Sequence, residues 1–264
     1  SALTRQGFDV TVLPVDETGL IDLDQLRDTV RDDTILITLM VANNEVGTIQ
    51  PIAQVGALCR ERGILFHTDA AQAIGKVSID VDKMGIDLLS LSGHKFYAPK
   101  GVGALYVRNR PRPKVIAQMD GGGHERGLRS GTMNVPGIVG LGSACHYAQE
   151  DLPSESQRVR GLRDRLESKL MTHLGGAHLN GHPEHRLDGN LNVSFEAVDG
   201  EGLLMGLKDI ALSSGSACTS ASLEPSYVLR AMGATKDLAQ SSTRFGIGRF
   251  NTEEEVDYVA ERVV

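Results

Sequence analysis

Two polar side chains follow apolar stretches of the sequence, where they can do chemistry together. Lys95 closes the segment Ser92-Gly93-His94-Lys95, which follows the apolar stretch 86–91. Asp69 ends a second apolar stretch, 63–69. A lysine amine forms a Schiff base with an aldehyde, and a carboxylate pairs with the nitrogen of a protonated pyridine ring. The pair predicts a pyridoxal phosphate site; the alternative is a surface lysine and a helix-capping aspartate.

Further polar residues flank this pair and favour the cofactor. Gln72 can donate a hydrogen bond to the phenolic oxygen of the cofactor, although a polar residue on a helix face is the alternative. Ser92 and His94 can donate to a phosphate from a turn at the end of a strand. For His94, a histidine of the core is the alternative.

Cys218 lies in the run 213–220, which consists of small residues without helical or strand periodicity. Such a segment buries little apolar area, so its thiol is expected to be accessible and open to activation by a nearby positive charge. The other two cysteines follow apolar residues at helical spacing, which predicts that both fill the core. They are Cys59 and Cys145.

Short apolar stretches alternate with amphipathic helices from residue 22 to about residue 108, which predicts an α/β fold with a mostly parallel sheet. In such a sheet, ligands bind at the strand ends. The strands are expected at 34–41, 64–68, 86–91 and 103–107, and helices at 51–62 and 135–149.

A smaller α+β domain is predicted after Asp151-Leu152-Pro153, so the domains are expected at 1–150 and 151–264. Its expected helices are 154–174, 200–209 and 224–232, and its expected strands are 190–195 and 242–247. A Thr252-x-x-Glu255 capping box begins a terminal helix. At the other end of the chain, the pattern indicates the tail of a helix at 1–7 and a strand at 8–13.

Composition narrows the function classes. The 264 residues include 27 basic and 34 acidic side chains, a net charge of −7, which gives no indication of a nucleic-acid partner. The basic stretch 108–114 contains prolines and is predicted to be a solvated turn. No apolar stretch reaches transmembrane length, and three widely spaced cysteines form neither a disulfide framework nor a zinc motif, so a reducing, cytoplasmic setting is expected.

Three histidines in a polar loop favour a solvated loop over a metal site. They are His178, His182 and His185.

Six segments together resemble the cysteine desulfurases of the housekeeping iron–sulfur-assembly type, which are fold-type I, class V aminotransferase-like enzymes. The resemblance covers essentially the whole chain. The segments are 41–45, 67–72, 92–95, 129–132, 213–220 and 244–246.

The resemblance implies removal of sulfur from L-cysteine with pyridoxal phosphate as cofactor. Lys95 would hold the cofactor and move the α-proton, and the Cys218 thiolate would take the sulfur as a persulfide. The acceptors would be an iron–sulfur scaffold protein or a sulfur carrier, and Cys218 could transiently ligate a nascent cluster; no resident metal is expected. A eukaryotic relative would be mitochondrial.

The resemblance assigns further residues to the site. Asn44 would contact the cofactor ring and the substrate carboxylate, or else be a turn residue. Arg244 lies on an apolar strand, where an unpaired charge is costly, and its planar fork fits the α-carboxylate. Thr132 would reach the phosphate held by another subunit, which implies a homodimer.

Two other functions stay open. A selenocysteine lyase uses a similar scaffold, although the run around Cys218 fits a desulfurase better. The chain also resembles its family without the N-terminal region that supplies a phosphate-binding turn and a stacking histidine, and without the C-terminal tail. An inactive interaction fragment is therefore the alternative from another class.

Overall fold

The computed structural model describes residues 2–214 and 225–264. Eight strands occur within these residues: β1 Leu36–Met40, β2 Leu65–Asp69, β3 Leu88–Ser92, β4 Gly103–Val107, β5 Ala177–Asn180, β6 Asn190–Phe195, β7 Ser213–Ser214 and β8 Thr243–Gly246. The helices are α1 Ala2–Arg5, α2 Leu23–Thr29, α3 Ile52–Arg62, α4 Val135–His173, α5 Gly200–Gly206, α6 Tyr227–Ala231, α7 Lys236–Gln240 and α8 Glu253–Val263.

The described residues form two compact units, each with its own sheet. The parallel-sheet unit comprises 35–42 and 52–156, and the antiparallel-sheet unit comprises the described residues of 2–34, 43–51, 157–214 and 225–264. The units divide within α4, between Ser156 and Gln157, six residues after the boundary expected from the sequence. The division of the chain into domains at residue 150 stays a prediction.

The parallel-sheet unit has the strand order β1-β2-β3-β4. β1, β2 and β3 are mutually parallel, and β4 runs antiparallel to β3. Helix α3 packs against β2 and contributes the buried Val55, Leu58 and Cys59 to the core. Burial of Cys59, at 1% exposed, confirms its predicted core position. This mixed, mostly parallel sheet with its helices confirms the α/β class.

The antiparallel-sheet unit has the strand order β5-β6-β8-β7, with every pair antiparallel. Alternate residues of a strand point to opposite faces, and the apolar set of β6 and β8 packs against α4 and α8. This core contains Leu162, Leu166, Leu170, Leu191, Val193, Phe195, Phe245, Val256 and Ala260. The predicted capping box is present, because Thr252 and Glu255 bond each other's backbone N–H groups.

The strand expected at residues 8–13 and the helix break expected near Pro153 are both wrong. Residues 8–13 pair with none of the described strands; a strand pattern yields a strand only where another backbone offers hydrogen bonds. The helix break expected near Pro153 is absent, since α4 continues through it. Tertiary packing along α4, through Leu162 and Leu166, outweighs the one intrahelical hydrogen bond that a proline removes.

Cys145 is exposed, so its predicted core position is wrong. Leu141, one turn earlier, is buried, but Ile138 is 40% exposed. The apolar stripe of α4 is therefore covered only in part within the parallel-sheet unit.

The basic stretch 108–114 is solvated at Arg110, Arg112 and Lys114, as predicted. Arg108 differs, because it forms an ion pair with the buried Asp87.

His178 was expected in a loop but lies on β5, where its Nε2 is 2.7 Å from Glu196 Oε1. The rings of His182 and His185 lie 4.6 Å apart in the turn that follows. Within the described ranges, no group of three or more His, Cys, Asp or Glu residues is placed to hold a metal ion.

The pattern also missed the short α7 and the two-residue β7. Over residues 2–214 and 225–264, the helices lack the combination of length and apolarity that crossing a bilayer requires.

Candidate active site

The register of the parallel strands places two candidate groups at one edge of the sheet. Asp69 is the last residue of β2 and aligns with Met40 of β1 and Ser90 of β3. Ser92, two residues beyond Ser90, ends β3. Because β2 and β3 are parallel, their carboxyl ends and the residues that follow meet at this edge, which is where ligands bind in such sheets.

Asp69 is held by its own chain at this edge. Its Oδ1 accepts a hydrogen bond from the backbone N–H of Ala71 at 2.8 Å, and its carbonyl accepts one from Val41 N at 2.8 Å. The carboxylate is exposed, so it can still meet a ligand. Gln72 follows, half-buried, in the same turn.

Lys95 lies in a 3-10 helix, Gly93–Phe96, that directly follows β3. A Cβ at Gly93 would lie 3.0 Å from Val102 O, so the close approach of two backbone segments favours glycine there. Tyr97 ends the helix at φ 71°, in the left-handed region that non-glycine residues rarely adopt. The direction of the turn that carries Lys95 is therefore fixed on both sides.

The candidate ligand groups of this turn are open to solvent. His94 and Lys95 are exposed, and Ser92 is half-buried. The alternative of His94 as a core histidine is therefore wrong. Among described residues, the side chains of Gln72, His94 and Lys95 form no hydrogen bond or ion pair.

Sequence reasoning missed His67, which lies on β2 two residues before Asp69 and therefore on the same face. Its Nδ1 is 2.7 Å from Thr38 Oγ1 and its Nε2 is 3.4 Å from Ser90 Oγ. Burial lowers the pKa of His67, although the charge of Asp69 opposes that shift. The His67 imidazole thus lies on the same face of β2 as Asp69, between Thr38 and Ser90. The spacing of two residues from Asp69 was the signal that could have found it.

Thr132 is exposed in the same unit, in the segment that leads into α4. The turn before it is organised by Ser130, whose buried Oγ accepts a hydrogen bond from Gly123 N at 3.2 Å. Thr132 thus follows a fixed turn with its side chain open to solvent.

In the antiparallel-sheet unit, Arg244 and Asn44 are in direct contact. Arg244 Nη1 donates to the carbonyl of Asn44 at 2.8 Å. Arg244 aligns with Asn192 across β8 and β6, so both side chains lie on the polar face of this sheet. Asn192 Nδ2 donates to the carbonyl of Glu45, the residue that follows Asn44, at 3.1 Å.

Glu45 is a buried carboxylate in this turn, and sequence reasoning missed it. Only 4% of the residue is exposed, and its Oε2 accepts a hydrogen bond from Ser226 Oγ at 2.5 Å. Burial raises the pKa of Glu45, while the hydrogen bond from Ser226 and the positive charge of Arg244 oppose the rise. Its position directly after Asn44 was the signal that could have found it.

A buried arginine holds the far side of the same turn. Arg186 donates from Nη2 to Val46 O at 3.3 Å and from Nε to Asn190 O at 3.2 Å. Burial, together with the charge of Arg163, lowers the pKa of Arg186 to about 10. At Gly47, where φ is +79°, a Cβ would lie 2.9 Å from Asn190, so glycine is required there.

The structure thus groups the predicted site residues into two sets, one in each unit. The first set contains Asp69, Gln72, Ser92, His94, Lys95 and Thr132. The second contains Asn44 and Arg244. Cys218 lies outside the described residues. Of the other thiols, burial raises the pKa of Cys59 to about 12, which disfavours a thiolate there.

The first set fits pyridoxal phosphate by its chemistry. It supplies an exposed amine for the aldehyde, an exposed carboxylate for the ring nitrogen, and hydroxyl and imidazole groups for the phosphate. All of them lie at or just after the carboxyl ends of β2 and β3, or in the segment that leads into α4.

Known proteins resemble this chain over most of its length. The Aminotransferase class-V family model matches residues 1–259. Cysteine desulfurase IscS of Anaeromyxobacter dehalogenans (strain 2CP-C) is 59% identical over 257 residues, which are 97% of this chain and 64% of the relative. Human cysteine desulfurase is 56% identical over 263 residues, which are 100% of this chain and 58% of the relative.

Among solved structures, a NifS-like protein superimposes with a TM-score of 0.90 at 39% identity, covering 99% of this chain and 69% of that one. The chain spans about 60% of the length of the curated relatives reported above. The match over nearly all of its residues, with the strand-end lysine and aspartate of the α/β fold, shows that this chain belongs to the class-V aminotransferase family.

Proposed function

We propose that this chain belongs to a cysteine desulfurase, which converts L-cysteine to L-alanine and transfers the sulfur to its own Cys218. The observation that carries the proposal is an exposed Asp69 at the carboxyl end of β2 together with an exposed Lys95 in the turn that directly follows the neighbouring parallel strand β3. The 56–59% identity to proteins named cysteine desulfurase supports it.

Pyridoxal phosphate, when bound, would withdraw electrons from the α-carbon of the amino acid. Asp69 would hold the ring nitrogen, because its carboxylate is fixed by Ala71 N yet exposed. Ser92, His94 and, from a second subunit, Thr132 would donate to the phosphate. Gln72 would donate to the phenolic oxygen. Lys95 Nζ would bind the aldehyde and carry the α-proton.

The substrate carboxylate would bind at Arg244. One guanidinium N–H already donates a hydrogen bond to Asn44 O, and among described residues the guanidinium forms no other hydrogen bond. Its planar fork offers up to five donors, and a pair of these matches a carboxylate. Asn44 would contact the same ligand and the cofactor ring.

Cys218 would accept the sulfur. Its thiolate attacks the sulfur of cysteine, a sulfur–sulfur bond forms and the carbon–sulfur bond breaks; the carbon keeps the electron pair and then takes a proton. The products are L-alanine and a persulfide on Cys218, so atoms and electrons balance.

A second copy of this chain and a sulfur acceptor would be the macromolecular partners. Val135 and Val139 at the start of α4 are about 60% exposed, which suits an apolar contact between subunits. The acceptor would be an iron–sulfur scaffold protein or a sulfur carrier. We place the enzyme in the cytoplasm, or in mitochondria if it is eukaryotic, because free thiols suit a reducing compartment.

Replacement of Cys218 tests the proposal in the full-length protein. Cys218→Ser should abolish sulfide release from cysteine, because a hydroxyl cannot hold a persulfide, and should leave the visible absorbance of the bound cofactor unchanged. Sulfide, alanine and the absorbance spectrum are measured together.

Cys145→Ser is the matched control, since it removes an exposed thiol outside both residue sets. It should keep full activity. Sulfide release by Cys218→Ser at the wild-type rate would contradict the assignment of the sulfur acceptor. A wild-type protein that turned over selenocysteine but not cysteine would contradict the desulfurase itself.

A further inference from the structure

The turn at residues 43–47 contains a buried charge for which the proposed chemistry has no role. Glu45 is almost fully buried, yet its carboxylate bonds no backbone N–H of its own turn. A buried carboxylate is costly unless hydrogen bonds or an opposite charge compensate it. The compensating groups are the Ser226 hydroxyl, at 2.5 Å, and the charge of Arg244.

The backbone of the same two residues is held by the polar face of the antiparallel sheet. Asn44 O accepts from Arg244 and Glu45 O accepts from Asn192. The Glu45 side chain adds a third attachment, because Ser226 is the N-cap of α6 and its Oγ also accepts from Leu229 N at 3.2 Å. The turn is thus fixed to β6, β8 and the start of α6.

This arrangement affects the orientation of the Arg244 guanidinium. An arginine side chain has several rotatable bonds, and ordering them costs entropy when a ligand binds. The hydrogen bond to Asn44 O holds one end of the guanidinium, so the position of that carbonyl sets the direction of the remaining donors. Anything that fixes the Asn44–Glu45 peptide therefore orients the fork before the ligand arrives.

We propose that Glu45 is a positioning residue for recognition of the substrate carboxylate: by its bond to Ser226 it fixes the Asn44 carbonyl that orients Arg244. This inference rests on the proposed function, in which Arg244 binds the carboxylate of an amino acid. In this role Glu45 would act only through its bond to Ser226 and the carbonyl of Asn44.

Ser226 offers a sharp test, because the chain supplies a matched control. Ser226 and Thr235 each cap a five-residue helix of the same unit, accepting from Leu229 N at 3.2 Å and from Leu238 N at 3.3 Å. Only Ser226 also donates to Glu45. Both variants lose a helix cap, but only Ser226→Ala also leaves the buried Glu45 carboxylate without its hydrogen bond. Ser226→Ala should therefore cost more stability than Thr235→Ala, and only Ser226→Ala should disturb the site.

The experiment uses the full-length holoenzyme, with the variants Ser226→Ala, Glu45→Ala, Glu45→Gln and Thr235→Ala. Ser226→Ala and Glu45→Ala should raise KM for cysteine about tenfold and change kcat by less than about twofold, because ground-state alignment of the carboxylate is lost. Glu45→Gln should recover part of the loss, since its amide oxygen still accepts from Ser226. Thr235→Ala should keep the wild-type KM.

A binding measurement separates positioning from general weakening of the fold. The dissociation constant of L-alanine should rise about tenfold in Ser226→Ala, whereas that of ethylamine, which lacks the carboxylate, should stay unchanged. Equal KM values in Ser226→Ala, Glu45→Gln and Thr235→Ala would overturn the inference, even if Glu45→Ala failed to fold. Absence of alanine formation from cysteine by the wild type would instead overturn the proposed function.

Discussion

β2 and β3 carry candidate ligand groups at or just after their carboxyl ends, whereas β8 carries its candidate, Arg244, within the strand on the polar face of the antiparallel sheet. Asp69 and Ser92 end their strands and Lys95 follows three residues later. Arg244 and Asn192 instead lie opposite each other within the antiparallel pair. The carboxyl ends of parallel strands lie at the same edge of their sheet, where a ligand can bind. In an antiparallel sheet the carboxyl ends alternate between the two edges, and here the polar face of the sheet carries the candidate group.

The two regions also differ in how much the protein organises its groups. Asp69, His94 and Lys95 are exposed at the strand ends. In the antiparallel-sheet unit, Glu45 is buried in the turn at residues 43–47, and Arg244 is partly buried with a hydrogen bond to Asn44 O. This difference suggests that a ligand completes the strand-end groups, while the face groups are oriented by the protein before a ligand binds.

The largest effect is expected from the strand-end lysine. In the full-length enzyme, Lys95→Ala should lower the rate of alanine formation by about a thousandfold or more, because both the covalent attachment and the proton carrier are lost. Borohydride reduction followed by mass spectrometry should find the cofactor on Lys95 in the wild type. Lys100→Ala, which removes another exposed lysine five residues later, is the control and should be fully active. A reduced adduct on another lysine would refute the assignment.

A smaller effect is expected from the face of the antiparallel sheet. Arg244→Lys keeps the charge but loses the planar fork, so kcat/KM for cysteine should fall about a hundredfold. Steady-state kinetics and the absorbance of the bound cofactor are measured together, and the absorbance should not change. Arg230→Lys, at an exposed position of α6, should behave as the wild type. If Arg244→Lys kept the wild-type kcat/KM, the carboxylate would bind elsewhere.

The smallest effect concerns the buried side of the parallel-sheet unit. Burial, and to a lesser degree the charge of Asp87, raises the pKa of Cys59 to about 12. Above about pH 9 the unfolded chain loses this thiol proton while the folded chain keeps it, so the thiol's contribution to stability falls as pH rises towards 12. Cys59→Ala should therefore flatten the decline in unfolding free energy by up to about 1.4 kcal/mol per pH unit.

Urea unfolding at pH 8, 9 and 10, with circular dichroism as the signal, checks this slope. Cys145→Ala removes an exposed thiol and should change the slope less. Identical slopes in the wild type and Cys59→Ala would show that the buried thiol ionises as readily as an exposed one.

Local sequence patterns predicted the strands and helix starts that depend on residues only a few positions apart. The apolar stretch before Asp69 and the stretch before Ser92 became β2 and β3, and the Thr252 capping box formed as expected. The expectation for residues 8–13 failed because a strand needs a partner that the pattern does not name. The prediction that Cys145 lies in the core failed for a similar reason, because helical spacing does not say whether another element covers that face of α4.

The order of the motifs along the chain determined the family and the α/β class, because strand ends and turns are encoded by neighbouring residues. Only the tertiary structure decided that Glu45 meets Ser226, 181 positions away, and that Asn44 meets Arg244, 200 positions away. Distant groups that exclude water from a carboxylate raise its pKa, whereas distant groups that donate a hydrogen bond to it or place a positive charge beside it lower its pKa. Such compensation depends on packing between segments far apart in the chain, and the local pattern around Glu45 does not contain it.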